Sequence, residues 1–189
     1  MANVYFLLAR LWNHEVDAGA LNQLVSGQVA DAYVQAGGWL PEAAEVDDQL
    51  IESLAIEYCQ CFLGPKGHLP PHQSVVAGSR FQGDCCDSIK KYADLTGHRE
   101  LFEGHEQRMV DHAAVILSIM GKLHVDLQAS VDIGDDEAFR VIESTRAEFF
   151  QQHVSWLIEY CQAANSRTQS VFFGGLFTVT RAFLTSEPS

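Results

Sequence analysis

An aspartate and a histidine stand side by side at Asp111 and His112, in the segment MVDHAAVIL. A carboxylate beside an imidazole is a pairing that general-base catalysis uses. Neighbouring residues on a helix point about 100° apart, so Asp111 is not expected to orient the ring of His112. A hydrolase built on this pair would need a nucleophile or a metal, and the sequence shows neither a G-x-S-x-G elbow nor an activated cysteine. The pair alone therefore does not predict an enzyme.

Cysteines and histidines could hold a metal, but their spacing favours no site. The five cysteines form a C-x-C pair, a C-C pair and a single residue: Cys59, Cys61, Cys85, Cys86 and Cys161. Common zinc modules use C-x-x-C pairs instead, and His105 and His112 stand farther apart than the i, i+4 spacing of two ligands on one helix. We interpret the cysteines as reduced, buried apolar side chains and predict no metal ligand. A metal- or redox-responsive helical binding protein remains the alternative function.

Glycines do not form a phosphate-binding loop in this sequence. The adjacent Gly174 and Gly175 lie inside the apolar segment VFFGGLF and do not match G-x-G-x-x-G. Their position within a predicted helix indicates close packing instead.

A proline-rich loop, FLGPKGHLPPHQSV at residues 62–75, interrupts the predicted helices. Gly64 and Pro65 end the preceding helix, because glycine suits a C-terminal cap and proline cannot continue a helix. Pro70 and Pro71 then brace an extended segment flanked by aromatic and apolar residues. A segment that prolines hold extended forms a groove at low entropic cost, and peptides dock into such grooves.

The elements that must position these residues are predicted to be helices. Apolar residues recur at steps of three and four in seven segments, residues 3–13, 18–36, 46–62, 82–95, 104–126, 136–164 and 168–184. The segment 18–36 has room for two short helices, and no alternating strand pattern stands out. We predict an all-α, single-domain bundle of about eight helices over 1–189, with candidate hinges near 96–104 and in a polar linker at 127–135.

Composition narrows the class of partner. The 189 residues carry 12 basic and 25 acidic side chains, a net charge of −13. This charge argues against nucleic acid and anionic membranes, since both require a basic surface. No N-terminal signal peptide and no transmembrane helix are expected. We therefore predict a cytoplasmic protein without stable membrane binding.

Taken in order, the motifs resemble the TorD/DmsD/NarJ family. EYCQCFLGPKGHLPPHQSV resembles the family's first signature, Y/W-x-x-L-F-x-G-P followed by P-P-x-x-S-V, and MVDHAAVILSIMGKL resembles its second, P-x-D-H before an apolar helix. LLARLW resembles the first helix of the family. EFFQQHVSWLIEYCQAA and VFFGGLFTVTRAFL resemble its last two helices. The resemblance covers nearly the whole chain.

The resemblance implies a cytoplasmic, all-helical chaperone of molybdoenzymes in anaerobic respiration, not an enzyme. Such a chaperone binds the twin-arginine signal peptide or the N-terminus of a catalytic subunit. It assists insertion of the molybdenum cofactor and delays export by the Tat pathway until maturation is complete. It works as a monomer or homodimer and requires no cofactor of its own, although some members bind guanine nucleotides or molybdopterin guanine dinucleotide weakly.

The resemblance also assigns a peptide-binding surface. Matched position by position, that surface comprises Tyr58, Phe62, Gly64, Pro65, Pro70, Pro71, His72, Ser74, Asp111 and His112. In this assignment Asp111 pairs with an arginine of the leader. The chain departs from the family pattern at five positions: Cys61 replaces a leucine, His72 an aromatic residue, Met109 a proline, and Ile116 and Ser118 replace glutamates. The change at His72 lies in the groove and bears on which client is bound.

Overall fold

All regular elements in the described part of the chain are helical. The computed structural model describes residues 1–64, 68–78, 83–98 and 109–187, where the one extended pairing is an isolated bridge between His72 and His112. The α-helices in these ranges are α1 (Ala2–Asn13), α2 (Ala18–Ser26), α3 (Ala30–Gln35), α4 (Asp48–Tyr58), α5 (Gln73–Val76), α6 (Asp84–Thr96), α7 (Ala113–Ile133), α8 (Asp136–Phe149), α9 (Trp156–Asn165) and α10 (Val171–Thr185). The all-α prediction is confirmed.

The chain divides into two compact units. Among the described residues, those within Met1–Asn13 and Pro71–Trp156 belong to unit 1, and those within His14–Pro70 and 157–187 belong to unit 2. Over these residues the backbone passes between the units at three places, one of which is the Pro70–Pro71 step in the middle of the proline loop. The single-domain organisation over 1–189 stays a prediction.

Helix α7 forms the core of unit 1. Its residues from Ala113 to Leu117 are buried on every side, as expected for a helix that is apolar all round. It packs against α1, α6 and α8, and Gly121 lies under the ring of Phe6, where an added Cβ would come within 2.7 Å of that ring. Among the described residues, α7 alone is long and apolar enough to cross a membrane. However, 56% of its most apolar window is buried inside the protein, which fits a core helix.

An aromatic cluster forms the core of unit 2. Phe62 lies against Tyr58 and against Phe173 and Phe177 of α10, with ring centroids 4.9 to 5.9 Å apart. Contacts between rings at these separations add about 0.5–1.5 kcal/mol beyond the burial of their area. Helix α10 can approach this closely because Gly175 leaves room for the backbone of Gly38 and Trp39. The predicted close packing at Gly175 is confirmed, although its neighbour is a loop.

Two boundaries of the predicted helices around the proline loop need correction. The segment predicted as a helix over 46–62 begins at Asp48, with the Asp47 side chain capping the Leu50 amide at 2.8 Å, and its last turn, Cys59–Leu63, is a π-helix. At the end of the proline-rich loop predicted for 62–75, Gln73–Val76 forms the short helix α5. A four-residue helix lacks the length over which apolar periodicity can be recognised.

The polar linker predicted for 127–135 is wrong over most of its length. Helix α7 continues to Ile133, and only Gly134 and Asp135 separate it from α8. Gly134 adopts a φ of 71° at the end of α7, and the Asp135 side chain accepts a hydrogen bond from the Ala138 amide at 2.9 Å. Glycine readily adopts this left-handed conformation, so the turn needs no more residues. The hinge predicted near 96–104 lies outside the described residues beyond position 98.

The predicted helix over 136–164 is interrupted. Helix α8 ends at Phe149 and a π-helical turn, Phe150–Val154, follows it before α9 begins. A π-turn holds one extra residue per turn and shifts the face on which the following side chains lie. This shift places His153 inside unit 1, where it is 3% exposed.

Candidate functional site

Asp111 lies fully buried in unit 1 and accepts three hydrogen bonds. Its Oδ2 accepts from the backbone amide of Ser74 at 3.0 Å and from the Ser74 hydroxyl at 2.6 Å. Its Oδ1 lies 3.3 Å from Nδ1 of His72. Burial by itself raises the pKa of Asp111, but the hydrogen bonds from His72 and Ser74 outweigh it and lower the pKa to about 2. The carboxylate is therefore ionised across the physiological range.

Two backbone hydrogen bonds strengthen this arrangement. The amide of Gln73 donates to the carbonyl of Asp111 at 3.0 Å, and the amide of Ala113 donates to the carbonyl of Pro71 at 2.9 Å. Together with the bonds to the Asp111 carboxylate they fasten the second half of the proline loop to the start of α7. We call this set, formed by Pro71, His72, Gln73, Ser74 and Asp111, the Asp111 clamp.

The histidine partner of Asp111 is His72 and not its neighbour His112. The Nδ1 atom of His112 instead accepts from the Ala114 amide at 3.1 Å, which caps α7. The rings of His72 and His112 lie edge to face with centroids 5.0 Å apart. Both residues precede the first residue of α7, Ala113, so the helical spacing assumed for them in the sequence does not apply.

The clamp is not arranged for acyl-transfer catalysis. In a Ser-His-Asp relay the serine hydroxyl bonds to the histidine, which takes its proton. Here the Ser74 hydroxyl donates directly to the Asp111 carboxylate, so His72 is not placed between them. The arrangement fixes a loop and leaves no activated nucleophile at Ser74.

Gln73 ties the same segment to the π-turn. Its Nε2 donates to the Gln152 carbonyl at 2.8 Å, and its Oε1 lies 3.0 Å from Nδ1 of His153. The other ring nitrogen of His153 lies 2.9 Å from the Ser88 hydroxyl, and burial lowers the pKa of His153 to about 4. Sequence reasoning did not select Gln73 or His153 as site residues. The family resemblance around EFFQQHVSW was the feature that could have identified His153.

The first half of the proline loop is held separately, within unit 2. The amide of Leu69 donates to the Cys61 carbonyl at 2.9 Å, and the Tyr160 hydroxyl donates to the Leu69 carbonyl at 2.5 Å. Tyr58 and Phe62 belong to the same unit and are 7% and 2% exposed. They therefore offer almost no surface of their own.

Next to these buried aromatic residues, α4 has an exposed apolar surface. Ala55, Ile56, Cys59 and Gly64 line it, together with the acidic residues Glu15 and Glu52. Ile56 is 53% exposed, and Leu63, which precedes Gly64, is 65% exposed. We call this surface the α4 strip. Sequence reasoning missed it because Ile56 had no assigned position in the predicted apolar face.

The sequence profile of the nitrate reductase delta subunit family matches residues 22–162. The chain belongs to this family. Two relatives, each named chaperone protein TorD, come from Shewanella sp. strain ANA-3 and strain MR-4. They are 27% and 26% identical to the chain, and each alignment covers 98% of this chain and 91% of the relative. No solved structure matches the chain significantly.

Membership of the nitrate reductase delta subunit family confirms the predicted class. Its TorD-type members are chaperones of molybdoenzyme subunits, so the prediction that the chain is not an enzyme is confirmed. The matched range contains the Asp111 clamp, the π-turn with His153 and the α4 strip except for Glu15.

The structure places the predicted site residues in both units. Tyr58, Phe62, Gly64 and Pro70 belong to unit 2, and the other described members, Pro71, His72, Ser74, Asp111 and His112, belong to unit 1. Pro65, like His105, lies outside the described residues. Their role in binding a peptide stays a prediction of the family resemblance.

Proposed function

We propose that the chain binds the twin-arginine leader, or the N-terminus, of a molybdoenzyme catalytic subunit in the cytoplasm. Binding assists insertion of the molybdenum cofactor and delays export until the subunit has matured. The family supports the class of client, and the net charge of −13 suits a basic partner. The cofactor belongs to the client. Weak binding of guanine nucleotides or of molybdopterin guanine dinucleotide stays a prediction, as does the choice between monomer and homodimer.

The observation that carries this proposal is the α4 strip. A twin-arginine leader combines a basic stretch with an apolar stretch. The strip combines exposed apolar side chains, Ile56 foremost, with the flanking carboxylates of Glu15 and Glu52. The apolar stretch would cover Ile56 while the arginines pair with the carboxylates. Charge-assisted hydrogen bonds of this kind contribute about 1.5–3 kcal/mol when partly shielded from water.

Asp111 has a different part in this proposal from the one that the resemblance suggests. A fully buried carboxylate that already accepts three hydrogen bonds is poorly placed to receive an arginine of the leader. We therefore assign Asp111 a positioning role, in which it holds His72 and Ser74 in place. His72, whose side chain is 15% exposed, is the member of the clamp that could touch a peptide.

Calorimetry with synthetic leaders tests the proposal. Ile56→Ser should weaken binding roughly tenfold, since burying an isoleucine contributes about 1.5–3 kcal/mol. Glu52→Lys should weaken it similarly by repelling the arginines. Ile133→Ser and Glu159→Lys, which alter an exposed isoleucine at the end of α7 and an exposed glutamate of α9, are the matched controls and should bind like the wild type.

The outcomes separate two failures. If the wild-type chain binds no leader encoded in the same genome, the proposed function is wrong. If the wild type binds and Ile56→Ser binds equally well, the function stands and the α4 strip is not the binding surface.

A further inference from the structure

Two thiols and a buried carboxylate lie close together in unit 1, although their spacing in the sequence matches no common metal-binding motif. The sulfur atoms of Cys85 and Cys86 and a carboxylate oxygen of Asp111 all lie within 4.8 Å of one another. Cys85 and Cys86 belong to the first turn of α6, and Asp111 directly precedes the cap of α7. Two elements separated in sequence thus bring three ligand atoms to one point.

These side chains are shielded from water. Cys86 is 4% exposed, Asp111 is fully buried, and Cys85 is half-buried. Burying charged groups is costly unless they are paired or bind a metal. Within the described residues, the groups seen against the Asp111 carboxylate are the hydrogen-bond donors His72 and Ser74 and the two thiols. Among the described contacts, Oδ1 of Asp111 takes part in one hydrogen bond, to His72, so it keeps a lone pair that a cation beside the two thiols could use.

We propose that Cys85, Cys86 and Asp111 form a binding site for a thiophilic divalent cation, best matched by zinc. Zinc lies about 2.3 Å from thiolate sulfur and about 2.0–2.2 Å from carboxylate oxygen, so tetrahedral geometry brings two sulfurs to about 3.8 Å. The ligand atoms therefore need to close by at most about 1 Å, which side-chain rotation can supply. The mixture of soft sulfur and hard oxygen ligands suits zinc better than magnesium or calcium.

The charges and the coordination number fit such an ion. Two thiolates and one carboxylate bring three negative charges against two positive charges on the metal, and Lys90, one turn farther along α6 than Cys86, adds a positive charge nearby. Three protein ligands leave one position of a tetrahedral site open to water or to another ligand. Binding releases the two thiol protons to the buffer, so the apparent affinity should fall as the pH falls.

Occupation of this site would act on the proline loop. Asp111 holds His72 and Ser74, while Cys85 and Cys86 begin α6, so a metal on all three residues would join the start of α6 to the Asp111 clamp. The loop would then be more rigid with metal than without it. This inference does not depend on the proposed function, because it concerns only contacts within unit 1.

Titration of the reduced, metal-free chain with cobalt and zinc tests the site. We expect one equivalent of Co²⁺ to give a near-ultraviolet thiolate-to-cobalt charge-transfer band, and Zn²⁺ to displace it. Cys85→Ser should weaken Zn²⁺ binding at least about 100-fold, because even loss of an outer-shell partner costs 10–100-fold. The matched control is the double variant Cys59→Ser, Cys61→Ser, which removes the same type of thiol from unit 2 and should keep the band.

Three results would overturn the site. The first is a wild-type chain that takes up no stoichiometric metal. The second is a band that survives in both Cys85→Ser and Cys86→Ala, and the third is a band lost only in the Cys59, Cys61 control. Circular dichroism identifies a variant that has not folded. The metal stoichiometry is measured on the wild-type chain, and the control on the Cys59, Cys61 double variant. Both results can therefore contradict the proposal even if a variant at Cys85 or Cys86 does not fold.

Discussion

Asp111 and His153 are buried titratable side chains that hold the segment around Gln73 from two sides. Each has one protonation state that suits its surroundings, the carboxylate of Asp111 and the neutral ring of His153. The pKa of Asp111 is lowered to about 2 and that of His153 to about 4. The contribution of the Asp111 carboxylate to the free energy of unfolding is therefore fully present above pH 3.8 and is lost as the pH falls towards 2. Stability from His153 is present above pH 6.5 and lost as the pH falls towards 4.

Replacing His153 by glutamine should make the stability less sensitive to acid. Between pH 6.5 and pH 4 the wild type should lose up to about 3 kcal/mol of unfolding free energy, because the buried ring must take up a proton that its site disfavours. His153→Gln retains an amide that can bond to Ser88 and Gln73 and cannot be protonated, so its loss over this range should be smaller.

Urea unfolding of both chains at pH 7 and pH 4.5 measures this difference. His14→Gln, a change at an exposed histidine, is the matched control and should behave like the wild type. Equal losses for the wild type and His153→Gln would show that His153 does not cause the acid sensitivity.

At the level of secondary structure, π-turns and glycines set the positions of the helices. A π-turn after α4 and another after α8 carry Phe62 and His153 into the two cores. Gly134 allows α8 to follow α7 after a two-residue turn, and Gly175 allows α10 to approach the loop at Trp39. The π-turns and the glycines therefore determine which side chains of a helix contact the neighbouring elements.

Gly175→Ala should destabilise the protein although alanine favours helices. Its new Cβ would lie 2.6 Å from the Trp39 backbone nitrogen and 3.1 Å from the Gly38 Cα, and backbone cannot move aside cheaply. We expect a net loss of about 1–3 kcal/mol, the usual cost of overpacking.

Gly174→Ala is the matched control for this substitution. Its Cβ would meet the Asn165 side chain at 3.1 Å, and a side chain can rotate away. The higher helix propensity of alanine, about 0.5–1 kcal/mol, should then leave this variant neutral or more stable. Thermal unfolding of the two variants compares them directly, and equal melting temperatures would contradict the packing argument.

At the scale of the molecule, the excess of acidic residues governs encounter with a partner. The net charge of −13 produces a negative field that would attract the basic leader of the proposed client. Such steering acts through water and is screened by salt, whereas apolar contacts are not. The salt dependence of the affinity therefore separates the contribution of the carboxylates from that of the apolar side chains of the α4 strip.

Binding of a twin-arginine leader should weaken roughly tenfold when the salt concentration rises from about 0.05 M to about 0.5 M. A leader with both arginines replaced by glutamine should bind more weakly and show a flatter dependence on salt. Calorimetry across this range gives both slopes. If the two leaders have the same slope, the arginines do not pair with carboxylates of the chain.

The helical class, most helix positions and the family could be predicted from the amino-acid sequence. Helical periodicity and helix-ending residues such as Gly64 are local properties, and local properties can be recognised along a single chain. The order of the motifs around Tyr58, Pro70 and Asp111 was enough for the resemblance that family membership then confirmed.

Tertiary structure alone decided which side chains meet. It paired Asp111 with His72 instead of His112, buried Phe62 while exposing Ile56, and brought the Cys85–Cys86 pair to Asp111. These outcomes depend on how helices distant in sequence pack, and the extra residue of a π-turn rotates the following side chains to another face. The sequence therefore located the proline loop, and long-range packing determined what holds it and which surface beside it is exposed.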